Sequence, residues 1–428
     1  MVIPPRHVWD LHANQVVPYW VASEYPWAIS HVWVDDNEIK REMTPINGYE
    51  WPVPMPKDAD LDLIRIELLN LGAKYIWLDM LCLRQEGQEW DRREALRKEE
   101  WKLDLPTIGW VYVKADKVVC YLSGLGLPLS FRSDDDFEDD QCWFNRAWTL
   151  QETPDKPLIA GKTCDDSVID ERFMTKDMQR RLDDQLEPLL QIQLPRSFAE
   201  IGRRLGTDTR FSLLSQMQKR KATNPVDKIA GLVYISGARH IPIYDAEQSE
   251  EDAWAELMNV SDDLRAEFFF LYPKPGNRNE SWQPTWQQVM EDEFPRPQPG
   301  CWGFPRVYWV RKWGDRYLGP RIDTCTVRGL ADVSENARHG ELTVKKGSRA
   351  EYTFEIIADH SYPIPDGVYT LLGSISHFPQ ERTFWVVGII EEPEEKFQEV
   401  SVFRMADDRK ISRLKKLNVY RKTTTWLL

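Results

Sequence analysis

The sequence predicts an α/β domain at the N-terminus, a helical middle region and an antiparallel β domain at the C-terminus. Three observations carry this reading. First, residues 25–34, 60–71 and 74–81 form a short apolar run, an amphipathic helical run and a second short apolar run. That spacing is a βαβ unit, with parallel strands and a right-handed crossover. Second, Met174, Met178, Leu182, Leu186 and Leu190 keep helical steps. Third, from Cys301 onward seven short runs of strand formers are separated by turns rich in Gly, Pro and Asp. Two or three domains suit 428 residues. The boundaries are placed at 1–165, 166–300 and 301–428.

In chain order, residues 1–22 carry Pro4, Pro5 and Pro18 and read as an extended lead-in. Tyr25–Val34, YPWAISHVWV, reads as a strand buried on both faces. Ser30 and His31 interrupt it near its end, and polar groups there must be paired or face a cleft. His31 lacks metal-ligand spacing and reads as a satisfied, partly buried histidine. Residues 35–57, with four prolines, read as a long loop. Leu61, Ile64, Leu68 and Leu71 share one helix face, with Asp58 or Asp60 as N-cap and Gly72 as a left-handed C-terminal cap.

Lys74–Leu81, KYIWLDML, is the second strand. Asp79 falls toward its carboxyl end, where open α/β sheets bind ligands; it equally suits a cap of the next helix. Cys82 and Gln85 follow at that rim. Glu89–Tyr112 reads as helical with a break at Pro106, and Lys117–Leu122, KVVCYL, as a third strand.

The acidic loop Asp134–Asp140 leads into Cys142–Glu152, CWFNRAWTLQE. This reads as an amphipathic helix with Trp148 and Glu152 on one face, and with Trp143 and Ala147 also four apart. Two readings stand side by side. Trp143 and Trp148 are core anchors beside a surface pair Arg146–Glu152, or the stretch is a site. Pro157–Ala160 reads as a further short strand.

Asn224–Asp227, NPVD, is a turn capping the helical stretch KIAGLVYIS, and IPIYD at 241–245 is extended. Glu250–Asp263 is an acidic helix running to about Phe268–Phe270, and the Pro-rich residues 273–300 read as irregular cover. Strands are expected at Val307–Trp313, Thr324–Leu330, Glu341–Lys345, Ala350–Ala358, Gly367–Ser374, Thr383–Ile390 and Glu399–Met405, forming a sandwich or barrel. A closing helix is expected at Arg409–Leu417. This last domain reads as a regulatory or interaction module.

Composition excludes several function classes. The net charge is -14, from 55 basic and 69 acidic residues, which argues against a nucleic-acid binder. No run reaches the roughly 20 apolar residues of a membrane span, and the N-terminus lacks the apolar stretch of a signal peptide. Six cysteines without a C-x-x-C pair read as free thiols in a reducing compartment, so a cytoplasmic location is expected. There is no H-E-x-x-H, no phosphate-cradling glycine loop and no G-x-S-x-G, so neither a metal nor a bound cofactor is expected.

YPWAISHVW, KYIWLDMLCLRQ, KVVCYL and CWFNRAWTLQE, in this order and spacing, resemble the successive motifs of the fungal HET (heterokaryon incompatibility) domain. NPVDKIAGLVYI, IPIYD and SWQPTW resemble the segment that commonly follows it. The chain departs from the family pattern at His31, where an aromatic residue is usual, and at Leu83-Arg84, where Ile-Asn is usual. HET domains are associated with non-self recognition and with triggering cell death. They are remotely similar to TIR domains, which have a flavodoxin-like parallel sheet and in some cases cleave NAD with one glutamate on a helix.

The resemblance therefore implies a flavodoxin/TIR-like parallel sheet and Glu152 as the catalytic carboxylate. It implies Ser30 and Asp79 lining the cleft, Trp33 or Trp148 stacking on a ring of the substrate, and Arg146 meeting a phosphate. NAD would be substrate rather than cofactor. Self-association and a protein partner in non-self recognition are implied by the same analogy. The alternative is a non-catalytic interaction module that recruits a death effector, with its Trp and Arg residues as interface anchors.

Overall fold

Four adjacent parallel strands make up most of the N-terminal sheet in the computed structural model of the chain. The structure describes residues 3–86, 92–129, 137, 139, 142–152, 157–161, 180, 183–185, 210–277, 282–295, 304–310, 314–333, 337–346, 350–374, 383–393 and 395–428. The chain divides into two compact units. One groups Met1–Arg196 with Lys219–Ile235 and His240–Ala253; the other groups Ser197–Gln218, Ser236–Arg239 and Trp254–Leu428.

The first unit opens with β1 (His7–Asp10), β2 (Gln15–Pro18), β3 (Trp27–His31), β4 (Ile39–Glu42), β5 (Val53–Pro56) and α1 (Leu61–Asn70). It continues with β6 (Tyr75–Trp77), α2 (Asp79–Cys82), α3 (Arg92–Asp104), α4 (Ile108–Lys114), β7 (Val118–Tyr121), α5 (Thr149–Glu152) and β8 (Leu158–Ile159). The sheet order is β2-β1-β6-β3-β7-β8. Strands β6, β3, β7 and β8 run parallel, while the β1–β2 hairpin joins β6 antiparallel, so the sheet is mixed. All five residues of β3 are buried, as its unbroken apolar run requires for a central strand.

Residues 1–22 are thus not a lead-in: they supply an edge hairpin. The prolines flank rather than interrupt it, with Pro18 closing β2. Asn14 takes the left-handed turn position at φ 52°, and its side chain accepts from the Trp9 indole at 3.1 Å.

Residues 35–57 also hold structure, the two-stranded β4–β5 sheet. Lys57 N donates to Glu38 O, so the N–H groups at 55 and 53 point the same way by the two-residue period. Pro54 and Pro56 then lack their N–H on the open edge, where none is needed.

Helix α1 follows from its sequence directly. The Asp60 carboxylate accepts from Asp62 N and Leu63 N, and Leu61, Ile64 and Leu68 are buried. The helix stops at Asn70, with Gly72 at φ +91°, which leaves Leu71 exposed and off the expected core face. Pro106 sits in a one-turn 3₁₀ segment, Leu105–Thr107, that separates α3 from α4.

Later helices are α6 (Arg210–Gln218), α7 (Val226–Ala230), α8 (Glu250–Val260), α9 (Asp262–Leu271) and α10 (Trp286–Glu291). Asn224 Oδ1 accepts from Val226 N, so the NPVD turn does start a helix, but one that ends before Gly231. Phe268–Phe270 lie inside α9. Residues 273–300 are not all irregular, because Thr285 and Gln288 form a capping box that starts α10. The acidic stretch Asp134–Asp140 and the Met/Leu run of 174–190 fall largely outside the described residues.

The second unit is dominated by an antiparallel sheet. Its strands are β9 (Val307–Val310), β10 (Gly314–Arg328), β11 (Arg338–Lys346), β12 (Ala350–Ala358), β13 (Gly367–Gly373), β14 (Phe384–Glu391), β15 (Lys396–Met405) and β16 (Arg421–Leu427). The path β11-β12-β15-β14-β13-β10 returns to β11, so the sheet closes on itself. Trp385, Phe354, Phe403, Leu371 and Val327 lie in its core together with Leu414 of α11 (Ile411–Leu417). Strand β16 was not expected from the sequence; it pairs with β10 along Arg316–Arg321. No helix among the described residues is long and apolar enough to cross a membrane.

Candidate functional site

The carboxyl ends of the central strands collect a group of buried polar side chains. Ser30, fully buried near the end of β3, pairs across to Cys120 of β7. Its hydroxyl donates to Glu152 Oε2 at 2.5 Å and accepts from the Trp143 indole at 2.7 Å. The next residue, His31, places Nε2 2.9 Å from Asp79 Oδ1 and Nδ1 3.2 Å from the Val32 carbonyl. Both ring nitrogens face acceptors, which favours the doubly protonated ring. Asp79 also accepts from Met80 N at 2.7 Å as the first residue of α2, whose N-cap position is Leu78, so it faces the cluster from the helix's first turn rather than capping it. Tyr112 of α4 donates to the Ile29 carbonyl at 2.9 Å.

Glu152 reaches Ser30 by a route other than the expected amphipathic helix. Cys142–Glu152 folds as a 3₁₀ turn, Trp143–Asn145, an extended residue Arg146 bridged to Lys221, and the four-residue α5. The break turns Trp143 and Glu152 onto the same hydroxyl, and it cancels the helical pairing of Trp143 with Ala147.

Burial dominates the electrostatics. It pushes the Glu152 carboxyl up to about 7, and the Asp79 charge adds to this, against the opposing effects of the Ser30 hydroxyl, His31 and Tyr112. For His31, burial works against protonation, yet Asp79, the Val32 carbonyl and Glu152 outweigh it and raise its pKa. Burial, with Glu152 beside it, also raises the Tyr112 phenol and the Cys120 thiol. Glu152 is 8% exposed, and the Asp79 side chain at 24% is the more open of the two acids.

The remaining expected residues lie apart from this contact. The partly exposed Trp33 ring sits 5.3 Å from the His31 ring. Trp148 hydrogen-bonds to Asp227 rather than flanking Glu152, and Asp227 also accepts from Tyr244 at 2.8 Å. The Arg146 guanidinium is opposed by burial and supported by Asp227 and Glu152. The structure thus joins Ser30, Glu152 and, through His31, Asp79.

Trp143, Tyr112, Arg220, Asp227 and Tyr244 were not singled out as site residues from the sequence. Trp143 stood inside a recognised motif, whereas Arg220 stands in the short basic patch 219–221, which reads as solvated helix surface; the structure instead buries Arg220. Cys82, Cys120, Cys142 and Cys325 are buried free thiols. Among the described residues, no group of three His, Cys, Asp or Glu side chains is placed to hold a metal ion.

Residues 27–127 match the family model for the heterokaryon incompatibility protein (HET). The chain therefore carries a HET domain, the mark of a heterokaryon-incompatibility-type protein. No curated protein and no solved structure matches the chain. The matched segment runs from β3 past β7 and contains Ser30, His31, Asp79 and Tyr112, while Trp143 and Glu152 lie beyond it.

Proposed function

We propose that this protein acts in non-self recognition and programmed cell death, and that its first unit does so by TIR-like cleavage of NAD. The observation that carries this is the Ser30–Glu152 contact at the carboxyl ends of the parallel strands. In chain order those strands lie 2-1-3-4, the order of flavodoxin-like sheets, whose ligands bind at the point where strand order reverses. Ser30 is on the first of them.

In the proposed reaction the bond between ribose C1′ and the nicotinamide nitrogen breaks, and nicotinamide leaves with the electron pair. The Glu152 carboxylate stabilises the oxocarbenium-like ribose, and water adds to C1′ and releases a proton, giving ADP-ribose. Ser30 orients the carboxylate. Asp79, Trp33 and Arg146 belong to the substrate side, as ribose, ring and phosphate contacts, and self-association precedes turnover. The test is NAD consumption by the full chain at high concentration, beside Glu152→Gln. Nicotinamide release by the wild type alone supports the reading.

A specific observation favours a second reading, a non-catalytic module that recruits a death effector. Glu152 is nearly buried and held by internal donors. Under that reading neither protein consumes NAD, both stay folded, and the charge at residue 152 is irrelevant to partner recruitment.

A further inference from the structure

Arg220 belongs to the segment Lys219–Ile235, which packs with the N-terminal unit. It is 2% exposed. Its Nη1 donates to the Arg146 carbonyl at 2.7 Å and to the Thr149 hydroxyl at 2.8 Å. Beside it, Lys221 N donates to Asn145 O at 2.6 Å, and Ala147 N donates to Lys221 O at 2.8 Å. The Thr149 hydroxyl lies 2.6 Å from the Trp143 carbonyl and 2.8 Å from that of Arg146. Residues 220–221 therefore grip both sides of the backbone that leads from Trp143 into α5.

A four-residue helix has a single turn and does not hold its own position. Tethers at its ends must set where it sits. Ser30 holds the last residue of α5, Glu152, and Arg220 holds the first, Thr149. A buried guanidinium keeps its proton and is costly to bury unless its donors are used. Here two of those hydrogen bonds go to the turn that carries the carboxylate.

We propose that Arg220 is a positioning residue for Glu152, fixing the start of α5 so that its end meets Ser30. Its consequence for turnover rests on the reading of Glu152 as the reacting carboxylate. It follows that the working unit extends well past the matched segment 27–127, to a residue contributed from position 220.

The test uses the full chain as wild type, Arg220→Ala and Arg220→Lys, with Glu152→Gln as the infrared reference. The protonated-carboxyl band missing from Glu152→Gln is followed against pH. The Glu152 charge supports that of Arg220, and the interaction is reciprocal. Arg220→Ala should therefore move the Glu152 midpoint upward by about one pH unit. Added guanidinium ion, at a concentration that does not denature, should bring it back. Arg220→Lys keeps the charge without the planar fork and should show a smaller shift. In NAD cleavage, Arg220→Ala should lose about a hundredfold in kcat with KM nearly unchanged.

A folded Arg220→Ala protein with the wild-type midpoint and kcat overturns the proposal, as does one with reduced Tm alone. If Arg220→Ala does not fold, Arg220→Lys decides by the same two readouts. If the wild type does not cleave NAD, the functional reading fails, and the midpoint of Arg220→Lys, which keeps the charge, decides: an upward shift supports positioning and the wild-type midpoint overturns it.

Discussion

The Ser30–Glu152 cluster of the first unit and Arg338 of the second bury polar groups in opposite ways. At the strand ends of the first, titratable side chains converge on one another: Ser30 on Glu152, His31 on Asp79, with Tyr112 close by. The proton affinities of Glu152, His31 and Tyr112 are raised, that of Glu152 to about 7, chiefly by its burial. In the closed sheet of the second unit, the buried cation Arg338 is spent on backbone. It donates to the carbonyls of Leu330, Asp332, His360 and Tyr362, tying two loops to β11. Burial and the Arg338 charge, against a bond to the Val402 carbonyl, lower the His360 pKa to about 4, so the ring is neutral at working pH. Convergent side chains with shifted proton affinity mark a candidate reacting centre, and charge absorbed by carbonyls marks a structural clasp.

Ser30→Ala sharpens the contrast with a large expected effect. It removes the donor to Glu152 and leaves the Trp143 indole without its acceptor. NAD cleavage should fall by about a hundredfold, and the Glu152 midpoint should rise, because the lost hydroxyl favoured the carboxylate. Steady-state kinetics and carboxyl infrared titration check both. Arg338→Ala tests the other side. It should cost about 2–4 kcal/mol in the unfolding transition of the second unit, since one buried and three part-buried carbonyls lose a charged donor. It should leave the Glu152 titration unmoved; a shifted midpoint would break the comparison.

The pH dependence gives smaller effects with fixed signs. If the carboxylate is the active form, cleavage should rise about tenfold from pH 6 to pH 8 around the Glu152 midpoint. Stability runs the other way. The folded-state pKa of Glu152 is raised from 4.5 to about 7, so the folded state holds an extra proton between those values. That contribution is full below about 4.5 and is lost as pH rises through about 7. His31, also raised, has the same sign, its contribution being lost as pH rises through its folded value. The ionised Glu152 thus carries a penalty on the order of 3 kcal/mol at pH 8. Glu152→Gln should flatten the fall in Tm between pH 5 and pH 8 by a few degrees, measured by calorimetry.

Much of the framework was legible because it rests on local periodicity. The Asp60 cap, the Leu61/Ile64/Leu68 face and the turn at Gly72 are written within one short stretch. So are the buried run of β3 and most strands of the C-terminal sheet, where the expected limits of β12 coincide with those observed. The β1–β2 hairpin was hidden because its strands are short and bounded by proline. The site was half legible. Ser30, Asp79 and Glu152 stood out by type and place, but what joins them does not follow from spacing. Ser30 and Glu152 are 122 residues apart. The break at Arg146 depends on a bridge to Lys221, and Trp148 turns to Asp227, both set by a segment that local patterns cannot place.

The most direct test of a reacting carboxylate at the end of the sheet is NAD turnover by the purified full chain, at high concentration and pH 8, for the wild type and Glu152→Gln. The account predicts nicotinamide and ADP-ribose in equal amounts from the wild type and none above background from the variant, with both proteins folded. Equal turnover by both, or none from a folded and self-associated wild type, would contradict it.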